Sequence, residues 1–260
     1  DDKVVKKLFA FSENSLLFYN ESSLAEDRRL FKSKDPQISS LRALLLQLAD
    51  HSLYLGPWSV MDKPKNNCAS SKNCHDYFSR HPHIVSRVGK EGKKILVSQE
   101  WTIVPDAMLD GNSSHLFDRT RLCSMQYTTT TLALAYFVTR NMTYASRAAE
   151  LVQTWFIRNE TRMNPHMQYA QVEPGPKVKS KPPPQGIIEM KDVYYFLDAV
   201  RILRQAGTFS DEDQLALHEW FTLYLFWLES SRKGRNEYTA PNNIGVYFDI
   251  QIVSVAAFVN

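Results

Sequence analysis

Two pairs of helix-periodic segments, each joined by a short polar connection, constrain the fold of this chain most. Residues 128–139 and 144–157 carry apolar side chains at three- and four-residue steps, and only Arg140–Thr143 separates them. Residues 190–204 and 211–230 form a second such pair. Helices joined by so few residues pack antiparallel as hairpins. The pattern therefore predicts an all-α fold built from antiparallel helical hairpins.

The remaining segments extend this pattern. Residues 36–55 carry a leucine stripe at helical spacing, and residues 245–258 predict a final helix. Prolines, glycines and two cysteines interrupt residues 56–112, which predicts a long irregular excursion in which residues 95–97 and 101–104 are only weakly strand-like. Successive hairpins with long loops on one face indicate helices arranged around an axis, as in an α/α toroid.

Composition limits the size of the fold and the kind of partner. With 43% hydrophobic residues among 260, the chain can bury one large core, so we expect a single domain over 1–260. A net charge of +3 is too small to indicate a nucleic-acid partner. The apolar run Ile250–Val259 falls short of the roughly 20 residues that a membrane span needs. The sequence predicts a soluble protein with no membrane span.

The cysteines suggest one disulfide and no metal. Cys68 and Cys74 bracket a short polar loop whose ends can meet at disulfide distance, the alternative being two reduced thiols. Together with His75 they supply only three potential zinc ligands, so we expect no metal site. Cys123 is left over and is predicted to be a buried thiol.

Four Asn-X-Ser/Thr sequons lie in polar, turn-like contexts. They are at Asn20, Asn112, Asn141 and Asn159. Together with the cysteine pair, they favour a secreted, extracellular glycoprotein. The first residues, Asp1–Lys3, lack the apolar stretch of a signal peptide, so we expect any such segment to have been removed.

Four short segments carry a family resemblance. They are Gly56–Pro64, His75–Ser79, Thr154–Gln171 and Pro241–Gln251. In number, order and spacing they resemble the alginate lyase domain family, over about residues 56–260. Residues 1–55 are then a helical lead-in. The resemblance implies an incomplete α/α toroid and an acidic polysaccharide as partner, since this family cleaves uronate glycans by β-elimination.

The chemistry of β-elimination explains the residue types in the last segment. Cleaving a 4-linked uronate requires neutralising its carboxylate, removing the C5 proton and protonating O4. The resemblance implies that Asn243 neutralises the carboxylate, with Asn242 beside it and helped by the N–H groups at the start of the final helix. No metal or organic cofactor is needed. The alternative is that Asn242 or Asn243 only caps the helix.

The resemblance implies that six further side chains contact the substrate. They are His75, Tyr77, His166, Tyr169, Gln171 and Tyr247. His75 and Tyr77 belong to a loop that the family places over the cleft, and Tyr247 follows Asn243 by one helical turn. The alternative for these residues is a packing role in a loop or turn.

Two departures from the family pattern leave the function open. Ile244 stands where the motif reads Asn-Asn-His, and an alkyl chain cannot transfer a proton. The chain ends at Asn260, whereas the family continues with further helices. An incomplete toroid exposes apolar faces, which we expect another chain or a second copy to cover. The candidates are a lyase-like glycoprotein with impaired activity and a non-catalytic matrix or filament glycoprotein that reuses the fold.

Overall fold

Helices dominate the computed structural model, which describes residues 16–81, 84–88, 94–98, 117–172 and 185–260. The α-helices of these residues are α1 (Glu21–Leu30), α2 (Pro36–Ser52), α3 (Asp118–Thr139), α4 (Met142–Val152), α5 (Val193–Gln205), α6 (Asp211–Ser230), α7 (Arg232–Tyr238) and α8 (Asn243–Val259). A π-helical turn, Gln153–Ile157, extends α4. The strands are β1 (Phe78–Arg80), β2 (Ile84–Val88), β3 (Lys94–Ser98) and β4 (Tyr169–Val172).

The helices pack in two layers. Helix α3 contacts α5, and α5 contacts α8, so these three form one layer. Helices α2, α4 and α6 pack outside them, α2 and α4 against α3, and α6 against α8. Helices α3 and α4 pack directly against each other as the short connection between them predicts, whereas α6 packs mainly against α8, α7 and the π-helical turn. The arrangement confirms the predicted all-α toroid of helical hairpins.

Capping residues explain several helix ends. Helix α6 has the predicted bounds, and its Ser210 and Asp213 form a reciprocal capping box. Asn141 caps α4 by accepting a hydrogen bond from the Thr143 N–H at 3.0 Å. Arg140, which ends α3, adopts the left-handed conformation with φ 61°.

Two predicted helix starts were wrong by several residues. Helix α3 begins at Asp118, ten residues before the predicted start. The first part of the helix was missed because Asp118, Arg121 and Gln126 are buried although they are polar. Their polarity hides the helical period from the sequence. Helix α5 begins at Val193 because residues 187–190 form a 3₁₀ turn before it.

The strands form two small sheets. Strands β2 and β3 pair antiparallel, so residues 95–97 pair with 85–87, and residues 101–104 lie outside the described part of the chain. Strands β1 and β4 pair in parallel although about 90 residues separate them. No local pattern indicates that second pair, because its contacts come from the packing of the helices on either side.

The alternation of helix direction brings the long loops to one end of the molecule. Helices α3, α5 and α8 begin there, whereas α4 and α6 end there. We call this the loop end, and it comprises residues 56–81, 158–172, 185–192 and 231–242. The pairing of β1 with β4 and the hydrogen bond from Lys233 Nζ to the Ala170 carbonyl at 2.6 Å connect these segments.

Apolar side chains remain exposed at both edges of the layers. Leu41, Leu44 and Leu48 of the predicted leucine stripe are exposed on α2, and Val246 and Val253 are exposed on α8. No single helix among the described residues is long and apolar enough to cross a membrane. Helices α7 and α8 together have the length and apolar composition of a membrane span, but they are bent by 116° against each other.

Aromatic rings fill the centre of the core. The Phe156 ring lies 4.6 Å from Trp220, 5.3 Å from Phe221 and 5.6 Å from Phe196 between ring centroids. These residues come from the π-helical turn, α5 and α6. The contact therefore joins the two layers and both hairpins, and each ring removes a large apolar area from water.

We expect Phe156→Ala to lower the free energy of unfolding by about 3 to 5 kcal/mol, the usual range for removing a buried phenylalanine. Phe156 is 0% exposed. The matched control is Phe226→Ala in α6, whose ring is 67% exposed. It should cost no more than about 0.5 kcal/mol. Urea unfolding of both variants measures the difference, and equal losses would contradict this description of the core.

Candidate functional site

A disulfide closes the first loop of the loop end. Cys68 and Cys74 are bonded, with Cα atoms 4.7 Å apart, which confirms the predicted pairing. The next residue, His75, donates its backbone N–H to Asn73 Oδ1 at 3.0 Å. Cys123 lies outside the disulfide, as predicted, but its thiol is half-buried rather than buried.

Glu189 is the buried centre of the loop end. Its Oε2 accepts hydrogen bonds from the Tyr77 hydroxyl and the Ser79 hydroxyl, each at 2.7 Å. The Arg119 guanidinium lies 3.8 Å from Oε1. Burial raises the pKa of the Glu189 carboxyl, and these partners oppose the rise. One acidic side chain thus joins the start of α3, strand β1 and the 3₁₀ turn before α5.

Two predicted substrate residues are buried in this network. Tyr77 is fully buried, and burial raises the pKa of its hydroxyl well above the usual value. Gln171 is also buried, has φ 55°, and donates its backbone N–H to Ser79 Oγ at 2.8 Å. The structure places both residues beneath the surface of the loop end. Their contact with substrate stays a prediction.

A second buried charged pair fixes α7 to the loops. Lys233 Nζ donates to the Ala170 carbonyl, and Glu237 Oε1 accepts from the Ile187 N–H at 2.8 Å. Burial raises the pKa of Glu237 to about 7 and lowers the pKa of Lys233 to about 8. The sequence does not indicate that these two side chains are buried, because a lysine and a glutamate four residues apart on a short helix usually form an exposed ion pair.

His166 lies against a carboxylate rather than alone in the loops. Its Nε2 lies 3.1 Å from Asp76 Oδ1, and the Asn164 amide donates to the same oxygen at 2.6 Å. Burial opposes ionisation of Asp76, but hydrogen bonds from His166, Asn164 and Ser71 outweigh it and lower the pKa of Asp76 to about 2. Tyr169 lies beside this pair, with its ring centroid 6.1 Å from that of His166.

His75 is half-buried at the surface of the same loops. Its Nδ1 lies 2.7 Å from the Arg162 carbonyl oxygen. A carbonyl can only accept, so Nδ1 carries the proton and Nε2 is an acceptor in the neutral ring. His75, His166 and Tyr169 are therefore brought together around residues 162–169.

The two asparagines before α8 have different roles. Asn242 Oδ1 accepts from the Ile244 N–H at 3.0 Å, so Asn242 is the helix cap. Asn243 is the first residue of α8, and its side chain is exposed. Ile244 is buried and Tyr247 is half-buried. The capping alternative therefore applies to Asn242, and it leaves the Asn243 amide available to a ligand.

The loop end offers hydrogen-bond donors to an anion. The Asn243 amide and the first N–H groups of α8 lie at the positive end of the helix dipole. The part of the chain that the structure describes contains no group of three or more His, Cys, Asp or Glu side chains that could hold a metal ion. Donors of this kind suit an anion such as a carboxylate.

Comparisons with known proteins agree with this description. The sequence profile of a family described as Alginate lyase matches residues 59–260. The crystal structure of an alginate lyase from Bacteroides ovatus superposes with a TM-score of 0.84 and 28% sequence identity. The match covers 95% of this chain and 62% of that protein, so the chain spans less than two thirds of its length. No curated protein sequence matches significantly.

The raised pKa of Glu237 gives a pH-dependent stability. Folded Glu237 keeps its proton up to about pH 7, whereas in the unfolded chain its carboxyl ionises near its ordinary pKa of 4.5. Its stabilising contribution is thus complete below pH 4.5 and is lost as pH rises through 7. Compared with Glu237→Gln, the wild type should lose about 1 kcal/mol of unfolding free energy per pH unit in this window.

Urea unfolding of both proteins at intervals from pH 5 to 7.5 measures this slope. The pKa of Asp118 is also raised, to about 6, but its contribution is present in both proteins and cancels in the difference. Glu219→Gln is the matched control, because Glu219 is exposed on α6. A pH-independent difference between wild type and Glu237→Gln would contradict the burial of an ionisable Glu237.

Proposed function

Because the chain belongs to the alginate lyase family, we propose that it binds an acidic, uronate-containing polysaccharide at the loop end and cleaves it slowly or not at all. One observation carries this proposal: an exposed Asn243 amide begins α8 directly before a buried Ile244. Asn243 keeps an amide that can bind a carboxylate. Ile244 stands where the family motif has a histidine, and its alkyl side chain cannot transfer a proton.

Binding rests on donors that the fold does not use internally. Asn242 supplies the cap, so the Asn243 amide faces solvent beside the N–H groups of the first helical turn. Hydrogen bonds from such donors to a carboxylate are stronger than those between neutral groups. Arg119, whose side chain is 30% exposed, adds a positive charge elsewhere at the loop end. These features suit a uronate carboxylate.

Weak catalysis rests on how the proton-carrying groups are held. Tyr77 is hydrogen-bonded to Glu189, and its raised pKa prevents it from acting as a base near neutral pH. His166 is paired with Asp76, and its Nδ1 accepts from the Gln168 N–H at 3.5 Å. Only His75 among these residues presents a ring nitrogen as an acceptor at the surface. The constellation therefore favours binding over elimination.

We expect the protein to bind uronate oligosaccharides with millimolar to micromolar dissociation constants, about −4 to −8 kcal/mol, and to release little unsaturated product. Asn243→Ala should weaken binding about 10- to 100-fold, the equivalent of one hydrogen bond to a charged group. Gln37→Ala, at an exposed position on α2 outside the loop end, is the matched control and should bind normally. Calorimetry on alginate and glucuronan oligomers measures binding, and ultraviolet absorbance of the unsaturated uronate measures turnover.

Robust turnover that Asn243→Ala abolishes would overturn the proposal of impaired activity. Absence of both binding and turnover would favour the second candidate, a non-catalytic matrix or filament glycoprotein that reuses the lyase fold. The burial of Ile244 supports that candidate, since an isoleucine packed at this position contributes to the core and not to chemistry.

Secretion and glycosylation are part of the same proposal. The disulfide between Cys68 and Cys74 is typical of oxidising compartments. The sequon residues Asn20, Asn141 and Asn159 are exposed, as attachment of a glycan requires, and Asn112 lies outside the described residues. These observations support an extracellular location.

We expect at least two of the four sequons to carry glycans in protein from its natural source. Treatment with an N-glycosidase should lower the mass by the weight of each glycan and convert each occupied asparagine to aspartate. Peptide mapping by mass spectrometry identifies the sites, and a peptide without a sequon serves as the control for spontaneous deamidation. An unchanged mass would remove the main support for secretion.

A further inference from the structure

A pocket of about 400 Å³ lies between the N-terminal halves of α3 and α5. Its volume is in the range of small-molecule sites. The lining residues are Thr120, Cys123, Ser124, Tyr127, Asp192 and Tyr195, with Gln126 beside them. The pocket adjoins the loop end, because the Gln126 amide contacts the sulfur of Met190 in the 3₁₀ turn at 3.6 Å.

Gln126 gives this pocket an unsatisfied acceptor. The residue is 1% exposed, and its Oε1 has no hydrogen-bond partner in the structure. A buried amide oxygen without a donor costs free energy, about 1 to 3 kcal/mol. The oxygen is enclosed behind the pocket wall, and a ligand hydroxyl that reached it through a small side-chain movement would recover that loss, so a ligand that carries donors fits this lining.

The charges at the pocket are balanced. Among the residues that line the pocket, Asp192 carries the charge, and Lys191 Nζ lies 2.6 Å from both oxygens of its carboxylate. Burial raises the pKa of Tyr195 well above its usual value, and the charge of Asp192 and a hydrogen bond to it add to that rise, so the hydroxyl remains protonated. Lysine and arginine are absent from the lining residues named above. The lining therefore disfavours an acidic ligand, whose charge would face the Asp192 carboxylate and an amide oxygen with no unpaired positive charge to balance it.

Aromatic rings border the same pocket. Tyr127 is 59% exposed, and the Phe18 ring lies 6.4 Å from that of Tyr195 and 4.7 Å from that of Tyr194. Phe18 is held there because the N–H groups of residues 17–19 donate to the Asp198 carboxylate at 2.6 to 2.8 Å. Aromatic faces bury the apolar face of a sugar ring, while hydroxyls and amides bind its edge.

We propose that this pocket binds a neutral, hydroxyl-bearing sugar unit, so that the natural ligand is a heteropolysaccharide containing both neutral and uronate units. The inference rests on the proposed function, since it takes the protein to be a glycan binder. It adds a specificity that the carboxylate-binding groups of α8 do not supply. Asn243 binds the charged unit, and the pocket between α3 and α5 accepts an uncharged one.

Cys123 in the pocket lining provides a direct test. The other two cysteines are in the disulfide, so alkylation of the native protein by iodoacetamide reports on Cys123. The probes are the methyl glycosides of glucose, mannose, galactose and N-acetylglucosamine, compared with glucuronate at equal ionic strength. We expect at least one neutral glycoside to slow alkylation about threefold or more at about twice its dissociation constant, and glucuronate to have no effect.

A second readout and two variants complete the experiment. Saturation-transfer NMR of the same glycosides reports binding independently of the thiol. Tyr127→Ala should abolish protection and NMR transfer, whereas Tyr54→Ala, at a tyrosine that is 84% exposed outside the pocket, should preserve both. Equal effects of glucuronate and the neutral glycosides, or no effect of any neutral glycoside in either readout, would overturn the proposal.

The Asn243→Ala variant separates this inference from the proposed function. It should weaken uronate binding and leave the protection of Cys123 by neutral glycosides unchanged. If the wild type binds neutral glycosides and no uronate, the proposed function fails and the pocket assignment stands. If it binds uronate oligomers and no neutral glycoside, the pocket assignment fails alone.

Discussion

The hydrogen bonds of the buried Glu189 carboxylate hold the loop end together. Its partners, Tyr77 and Ser79, precede it by more than 100 residues, and the connections between them include the long irregular excursion. A buried carboxylate is stable only when donors surround it, so these loops are held to one arrangement. The buried Lys233 and Glu237 also find hydrogen-bond partners in these loops, and they fix α7, and therefore the start of α8, to them.

Sequence periodicity predicted the parts of the fold that depend on apolar burial. The second hairpin and the capping box of Ser210 were recognisable because apolar spacing and cap chemistry are local. The start of α3 was not, since Asp118 is buried against Lys63 at 2.7 Å, and a buried ion pair has no local pattern. The parallel pairing of β1 with β4 was missed for a related reason: residues 90 positions apart meet only after the helices pack.

The sequence could propose residues for the candidate site but not the surroundings of their side chains. Family resemblance selected His75, His166 and Asn243, and the structure places all three at the loop end with side chains that are exposed or partly exposed. It could not indicate that Tyr77 is buried or that Asp76 pairs with His166, because both depend on neighbours from distant segments. The same contacts that give these residues fixed positions occupy the atoms that proton transfer would require.

The clamp of Asp198 on residues 17–19 has a consequence for how the chain is made. Leu17 and Asp198 are 181 positions apart in sequence, and Asp198 also pairs with Arg201, which donates to the Ala257 carbonyl. Contacts of such high sequence separation form late, after local hairpins have closed their loops. During synthesis from the first residue, the segment around Phe18 emerges from the ribosome long before its acceptor exists. The three backbone N–H groups of residues 17–19 therefore stay without their native acceptor until α5 has been translated, so this segment takes its final position only near the end of folding.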